Sequence, residues 1–226
     1  MSPSSERTLI CEDRDFFHWH QGCPWCAVWV LRVDNPEVSR RVLAARGLLG
    51  AALLNRYERQ AHVTLAYRGL MDAAVRHPAA QFTPEQLGQD VAALRALRGA
   101  PFAVQVQGAG SFSTVPYLSV QEPTGTLTRL HAALSQDEQL YPGWSYVPHV
   151  TVGHYARELP VAQALQVMEQ VPEVALPLHI PVDAVWLARY RTEDIAGPLF
   201  WEGVVDCGTG IYTPQPGALW ADAGLL

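Results

Sequence analysis

The chain has 226 residues, of which 49% are hydrophobic and 17% charged, and its formal net charge is −6. This length and balance are typical of a folded protein with a sizeable core, and the negative charge argues against a protein that grips long nucleic-acid duplexes through their phosphates. All 16 basic residues are Arg, and the lack of Lys excludes a Walker A loop, a lysine Schiff base and a nucleotidyl transferase that works through a lysyl adduct.

No segment of the sequence resembles a membrane span or a secretory signal. The longest apolar run, "CAVWVL" at residues 26–31, is far shorter than the roughly 20 residues that cross a bilayer. The N-terminus lacks a basic flank followed by an apolar stretch, and the four Cys are irregularly spaced. We therefore expect a cytoplasmic protein without membrane contact, while the oligomeric state cannot be predicted.

Strand and helix signals alternate along the first half of the chain. The apolar, β-branched segment 24–34 predicts a buried strand. Residues 35–60 predict a helix that Asn35 caps and that its glycines interrupt, and residues 61–70 predict a second strand.

The second half repeats the same order of elements. Thr83 and the proline after it mark the start of a helix that ends at Gly99. The later segments predict strands at 102–110, 116–121, 146–155, 177–191 and 199–208, helices at 124–139 and 159–171, and an irregular tail after about residue 208.

Each half also contains a strand with the pattern His-Val-Thr-apolar, "HVTL" at residues 62–65 and "HVTV" at residues 149–152. A separation of 87 residues between positions 62 and 149 is too long for a solenoid repeat and suits a duplicated lobe. We therefore predict one α+β domain over residues 1–226, built as two lobes with mostly antiparallel sheets.

The spacing within each motif places an imidazole beside a hydroxyl. Because residues i and i+2 share a face of a strand, His62 and Thr64 project together, as do His149 and Thr151. The apolar residues between them, such as Val63 and Leu65, are expected to sink into the core behind the motif.

Two such strands facing each other would suit phosphodiester chemistry without a metal ion or other cofactor. A neutral His can remove a proton from water or a ribose hydroxyl, and a protonated His can deliver one to the departing oxygen. Thr hydroxyls can donate to the non-bridging phosphate oxygens as charge develops there. Since the reference pKa of His is about 6.5, such a pair would work near neutral pH.

These paired motifs, and the order of elements from about Pro24 to Cys207, resemble the two-histidine (2H) phosphoesterase superfamily, which includes 2′-5′ RNA ligase-like proteins and cyclic nucleotide phosphodiesterases. The resemblance implies a pseudo-twofold fold with helices outside and a central groove. It also implies a nucleotide or RNA terminus with a 2′,3′-cyclic or 2′-5′ phosphodiester as substrate. His149 would act as the general base and His62 as the general acid, with Thr64 and Thr151 on the phosphate.

Further substrate-binding residues follow from the same strand alternation. Many proteins of the RNA ligase branch have Arg three residues after the second motif Thr, where this chain has His154. Alternation turns His154 away from the groove and Tyr155 towards it, unless the strand end bulges. It also places Arg68 on the face of His62, where it would bind phosphate or remain an ordinary solvated Arg.

Two other interpretations stay open. The groove could bind nucleotides or RNA ends without turning them over. Alternatively, Cys23 and Cys26 form a C-x-x-C with His18 and His20 nearby, which is compatible with a zinc site or a dithiol, although ordinary packing is the expected role. The remaining histidines, at positions 77, 131 and 179, show no spacing that indicates a site.

Overall fold

The protein is an α+β structure, described in a computed structural model over residues 6–12, 20, 22–71, 81–135 and 145–221. In this part of the chain the strands are β1 (Trp25–Arg32), β2 (His62–Leu70), β3 (Phe102–Ser111), β4 (Pro116–Gln121), β5 (His149–Thr151), β6 (Leu178–Val182), β7 (Ala184–Arg191), β8 (Phe200–Asp206) and β9 (Tyr212–Pro214). The α-helices are α1 (Pro36–Leu49), α2 (Pro84–Ala96), α3 (Thr126–Leu134) and α4 (Val161–Met168), and short 3₁₀ turns cover Gly50–Ala52 and Pro172–Ala175.

The strands form two antiparallel sheets, which confirms the predicted fold class. One sheet has the order β2-β1-β7-β8-β9 and the other β5-β4-β3-β6. Each motif strand, β2 or β5, therefore lies at the edge of its sheet, and the two edge strands lie against each other. This arrangement brings the two motifs together although they are far apart in sequence.

The predicted strand 177–191 is in fact two strands in different sheets. β6 pairs with β3 and β7 pairs with β1, so the chain crosses from one sheet to the other at Asp183. The buried positions record the crossing, since Ile180 and Val182 have even numbers and Val185 and Leu187 odd ones. Burial switches from even-numbered to odd-numbered residues when the opposite face of the chain packs against the core.

Caps at the helix ends explain where the first two helices begin and stop. The Asn35 side chain accepts from the backbone N–H of Glu37 at 2.8 Å, and α1 ends at Gly50, whose φ is +49°. The predicted interruption occurs at Gly50 and not at Gly47, and the α-helix does not resume before residue 60, because Gly50 redirects the chain into an irregular segment. Thr83 and Gln86 form a capping box at the start of α2.

Apolar side chains of both sheets and all four helices form the main core. The helices pack in pairs, α1 with α4 and α2 with α3. Val63, Leu65, Val150 and Val152 are buried, as the motif alternation predicts. The tail after residue 208 is not wholly irregular, because β9 pairs with β8. Among the described helices, none is both long and apolar enough to cross a membrane.

Candidate active site

The imidazoles of His62 and His149 are held by equivalent hydrogen bonds. Nδ1 of His62 lies 2.7 Å from the carbonyl oxygen of Gln60, and Nδ1 of His149 lies 2.7 Å from that of Val147. Because a carbonyl only accepts, each Nδ1 carries the hydrogen and donates it. Each ring therefore keeps Nε2 as the nitrogen that can exchange a proton with a ligand.

Burial lowers the pKa of both histidines. The pKa of His62, which is 8% exposed, falls from 6.5 to about 4, mainly through desolvation, with smaller contributions from the charges of Arg59 and His149. The pKa of His149, which is partly buried, also falls below 6.5 through desolvation. The effect of His149 on His62 places the two rings within electrostatic reach of each other.

The motif threonines are partly buried, and the side chain of Thr151 lies within hydrogen-bonding reach of the Tyr57 hydroxyl. Thr64 and His149 line the same open cavity of about 330 Å³. Thr151 lies opposite Tyr117 in the β4–β5 pair, and its carbonyl accepts from the hydroxyl of Tyr57 at 3.5 Å. Thr64 and His149 thus face one cavity, and a common site for all four motif residues stays a prediction.

Aromatic rings surround the cavity beside Thr64. The ring of Phe112 meets His149 edge-on, with centroids 5.1 Å apart. Tyr146 stacks on His131 at 3.9 Å and donates its hydroxyl to the carbonyl of Thr64 at 3.0 Å. His131, for which the sequence suggests no site, is thereby a lining residue of this cavity.

Arg68 does not lie in the groove, contrary to the prediction. Its Nε donates to the Asp90 carboxylate at 2.8 Å and its Nη1 to the carbonyl of Leu134 at 2.9 Å, and its side chain is 6% exposed. The register of β2 against β1 skips Leu65 and Arg68, so two bulges interrupt the alternation. Each bulge adds a residue without adding a pair, and Tyr67 takes the place on the face of Thr64 that Arg68 was predicted to hold.

The predicted inward orientation of Tyr155 is also wrong. Tyr155 is fully buried, and its hydroxyl shares a 2.7 Å hydrogen bond with that of Ser111. The reason is that β5 ends at Thr151, so strand alternation does not extend that far. His154 is partly buried, with its ring 5.8 Å from that of Tyr57, and its contact with phosphate stays a prediction.

The cysteine pair has the environment of core residues. Cys23 and Cys26 are 2% and 0% exposed and pack with Leu70. Burial raises the pKa of the Cys26 thiol to about 11, which opposes the thiolate form that redox and metal chemistry require. No cluster of three or more potential metal ligands occurs among the described residues, which do not include His18.

Comparison with solved structures finds the same fold in distant proteins. The protein TT0787 of Thermus thermophilus matches with a TM-score of 0.55 and 16% identity, over 81% of this chain and 98% of that one. LigT of E. coli in apo form matches with a TM-score of 0.50 and 18% identity, over 86% and 96%. At these identities the similarity shows the fold. No curated protein matches the sequence.

A family model described as the 2′-5′ RNA ligase superfamily matches residues 35–194, a range that includes both His-Val-Thr motifs. The chain belongs to this superfamily. The recognition of a 2H phosphoesterase from its paired motifs is thus confirmed, and the coarse class of this superfamily is that of phosphoesterases and RNA ligases.

The buried Arg68–Asp90 pair predicts a stability effect in this superfamily member. Arg68→Ala would leave the Asp90 carboxylate buried without its cation, and we expect the free energy of unfolding in urea to fall by about 3–5 kcal/mol. The control is Arg7→Ala, which removes an exposed pair with Glu158 and should cost less than about 1 kcal/mol. Equal losses in the two variants would contradict this account.

The burial of His62 predicts its titration. In ¹H–¹³C NMR spectra recorded against pH, we expect the His62 ring to stay neutral down to about pH 4, and that of His149 to titrate below 6.5. In His149→Ala the pKa of His62 should rise, because the variant removes a like charge. A His62 ring that titrates at or above 6.5 would contradict the buried environment described here.

Proposed function

We propose that the protein cleaves a 2′,3′-cyclic or 2′-5′ phosphodiester at a nucleotide or RNA terminus, and can form that bond in reverse, by proton transfer through His62 and His149. The observation that carries the proposal is the matched pair of hydrogen bonds from Nδ1 to the carbonyls of Gln60 and Val147. These bonds leave the two Nε2 atoms, on facing edge strands, free to exchange protons with two oxygens bound to phosphorus in the reaction, the attacking one and the departing one.

For a 2′,3′-cyclic phosphate the reaction has two coupled proton transfers. The base takes a proton from water as its oxygen attacks phosphorus. The bond between phosphorus and one ribose oxygen then breaks, and the acid gives its proton to that oxygen, leaving a phosphomonoester. The hydroxyls of Thr64 and Thr151 donate to the non-bridging oxygens, whose negative charge grows in the transition state.

One observation favours His62 as the base and His149 as the acid for cleavage, the reverse of the roles implied by the resemblance. Among the described residues, the aromatic cavity is lined by His149 and not by His62. A nucleoside in this cavity would place its departing ribose oxygen beside His149 and would leave the approach of water to His62.

The cavity also supports a nucleotide as substrate. Tyr67, Phe112 and Tyr146 offer ring faces and edges, and stacking of a base on an aromatic side chain contributes about 1–3 kcal/mol. The acidic chain, with a net charge of −6, favours a mononucleotide or a strand end over a long nucleic acid.

The first test removes each imidazole. We expect His62→Ala and His149→Ala to lower the rate of 2′,3′-cyclic nucleotide hydrolysis by about 10²- to 10⁴-fold, measured with a chelator present, because each loses a proton-transfer group. Thr64→Val and Thr151→Val should lose a similar or smaller factor. His179→Ala, an exposed residue of β6, serves as the control and should retain activity.

Other results of this first test would refute the mechanism or distinguish an enzyme from a binding module. Undiminished turnover in both His variants would refute the proposed mechanism. A wild type that binds nucleotides through these residues, yet turns over none of a panel of cyclic and 2′-5′ linked substrates, would instead be a binding module.

The second test assigns the base and the acid. Bis(4-nitrophenyl) phosphate has a flat aromatic leaving group that can occupy the cavity in place of a nucleoside and departs without a proton, so it should largely rescue the variant that lacks the acid and leave the loss of the base unchanged. We expect rescue of His149→Ala and none of His62→Ala. Rescue of His62→Ala alone would restore the roles implied by the resemblance.

The pH profile gives a third test. Because both histidines of the free protein titrate below 6.5, kcat/KM should rise as the pH falls below 6.5, and should fall again as the base becomes protonated near pH 4. A bound phosphate anion favours the protonated imidazoles, so the optimum for kcat should lie at higher pH than that for kcat/KM. An optimum for kcat/KM above pH 7 would contradict the lowered pKa values.

A further inference from the structure

Arg59 is fixed in place three residues before the first motif. Its Nε donates to the carbonyl of Gly197 at 3.1 Å, and its guanidinium lies over the ring of Tyr190, 4.6 Å from the centroid. The next residue, Gln60, makes two hydrogen bonds with the backbone of Leu199, at 2.8 and 3.1 Å. The irregular segment before β2 is thereby tied to the connection between β7 and β8.

One end of this guanidinium has no partner. Nη2 of Arg59 is buried and makes no hydrogen bond, and no carboxylate of the described residues pairs with Arg59. A buried donor without an acceptor costs about 1–3 kcal/mol, and more when it belongs to a charged group. Three arginines whose side chains are almost fully buried have such carboxylates, in the pairs Arg41–Glu37, Arg68–Asp90 and Arg189–Glu202.

The guanidinium of Arg59 lies close enough to His62 for its charge to act on that imidazole. The carbonyl of Gln60, adjacent to Arg59 in the chain, accepts from Nδ1 of His62, so the imidazole is folded back onto this segment. The positive charge of Arg59 also contributes to the lowered pKa of His62. Arg59, which pairs with no carboxylate of the described residues, thus lies near the imidazole that would act on an anionic phosphodiester.

We propose that Arg59 binds the reacting phosphate, with Nη2 donating to a non-bridging oxygen on the His62 side of the groove. This inference rests on the proposed function and identifies the charged group of its phosphate site, the role that the sequence suggested for Arg68. The oxygen satisfies the unpartnered nitrogen, and the anion offsets the positive charge that disfavours protonation of the histidines. The guanidinium can donate from Nε to the carbonyl of Gly197 and from Nη2 to the phosphate at the same time, which an ammonium group cannot do.

The test compares Arg59→Gln with Arg56→Gln. The control lies in the same segment, and its arginine is partly exposed and pairs with Asp194. Binding of inorganic phosphate, measured by calorimetry, should weaken about 10- to 100-fold in Arg59→Gln, and kcat/KM should fall by a similar factor, because a hydrogen bond between charged groups is lost. Both quantities should stay near the wild-type values in Arg56→Gln.

Two further readouts separate phosphate binding from a structural role. In Arg59→Gln the pKa of His62 should rise, because a neighbouring positive charge is removed. Arg59→Lys retains the charge and most of the side chain, so it guards against misfolding of the Gln variant. Its phosphate affinity should lie between those of the wild type and Arg59→Gln.

Phosphate affinity that is unchanged in folded Arg59→Gln, or in Arg59→Lys where the Gln variant does not fold, would overturn the inference. Phosphate binding needs no turnover, so the outcome is independent of the proposed reaction. A wild type that binds phosphate through Arg59 and hydrolyses no phosphodiester would refute the proposed function and leave this inference standing.

Discussion

The chemistry of the groove depends on one interaction made twice, the hydrogen bond from a histidine Nδ1 to the carbonyl oxygen two residues before it. Gln60 and Val147 both precede the first residue of an edge strand, so their carbonyl oxygens remain available to accept from the ring. The same bond fixes the tautomer and the direction of each imidazole. The role of Nε2 is therefore set before any ligand enters.

The protonation state of the free protein differs from the one that the proposed catalysis needs, and a bound substrate can remove this difference. Burial makes both imidazoles neutral at pH 7, whereas acid–base catalysis requires one of them to be protonated. Arg59 favours the neutral form of His62 further, because its positive charge lowers the pKa of that imidazole. An anion between these groups would offset the positive charge and favour uptake of a proton, so the active protonation state would form with the substrate in place.

Strand alternation predicts the motif residues correctly because it needs only local geometry. The positions of His62 and His149, with Val63 and Val150 buried behind them, follow from a period of two and a supporting core. Strand alternation does not predict correctly where the side chain of Arg68 lies. A bulge at Leu65 depends on how β2 meets β1, and no spacing within the segment itself indicates it.

The residues that the sequence does not indicate lie where the chain has no regular period. Arg59 belongs to an irregular segment that the sequence predicts as helix, and its position depends on contacts with Gly197 and Tyr190, far along the chain. Likewise, the crossing at Asp183 depends on two sheets that the sequence cannot place relative to each other. Local patterns thus predict the motif histidines and threonines, and only the tertiary structure shows what surrounds them.

The two halves place their motif strands alike but differ in what lines the groove, and this difference would give the proposed reaction a direction. Each motif strand, β2 or β5, is an edge strand paired with the strand that precedes it in the chain, β1 or β4, so this placement alone would not distinguish His62 from His149. His62, however, is the more deeply buried and lies beside a cation, whereas His149 faces an aromatic cavity. Under the proposed function, a phosphodiester with a charged centre and one flat, apolar substituent would bind such a groove in a single orientation, with its nucleoside in the aromatic cavity and its departing oxygen beside His149.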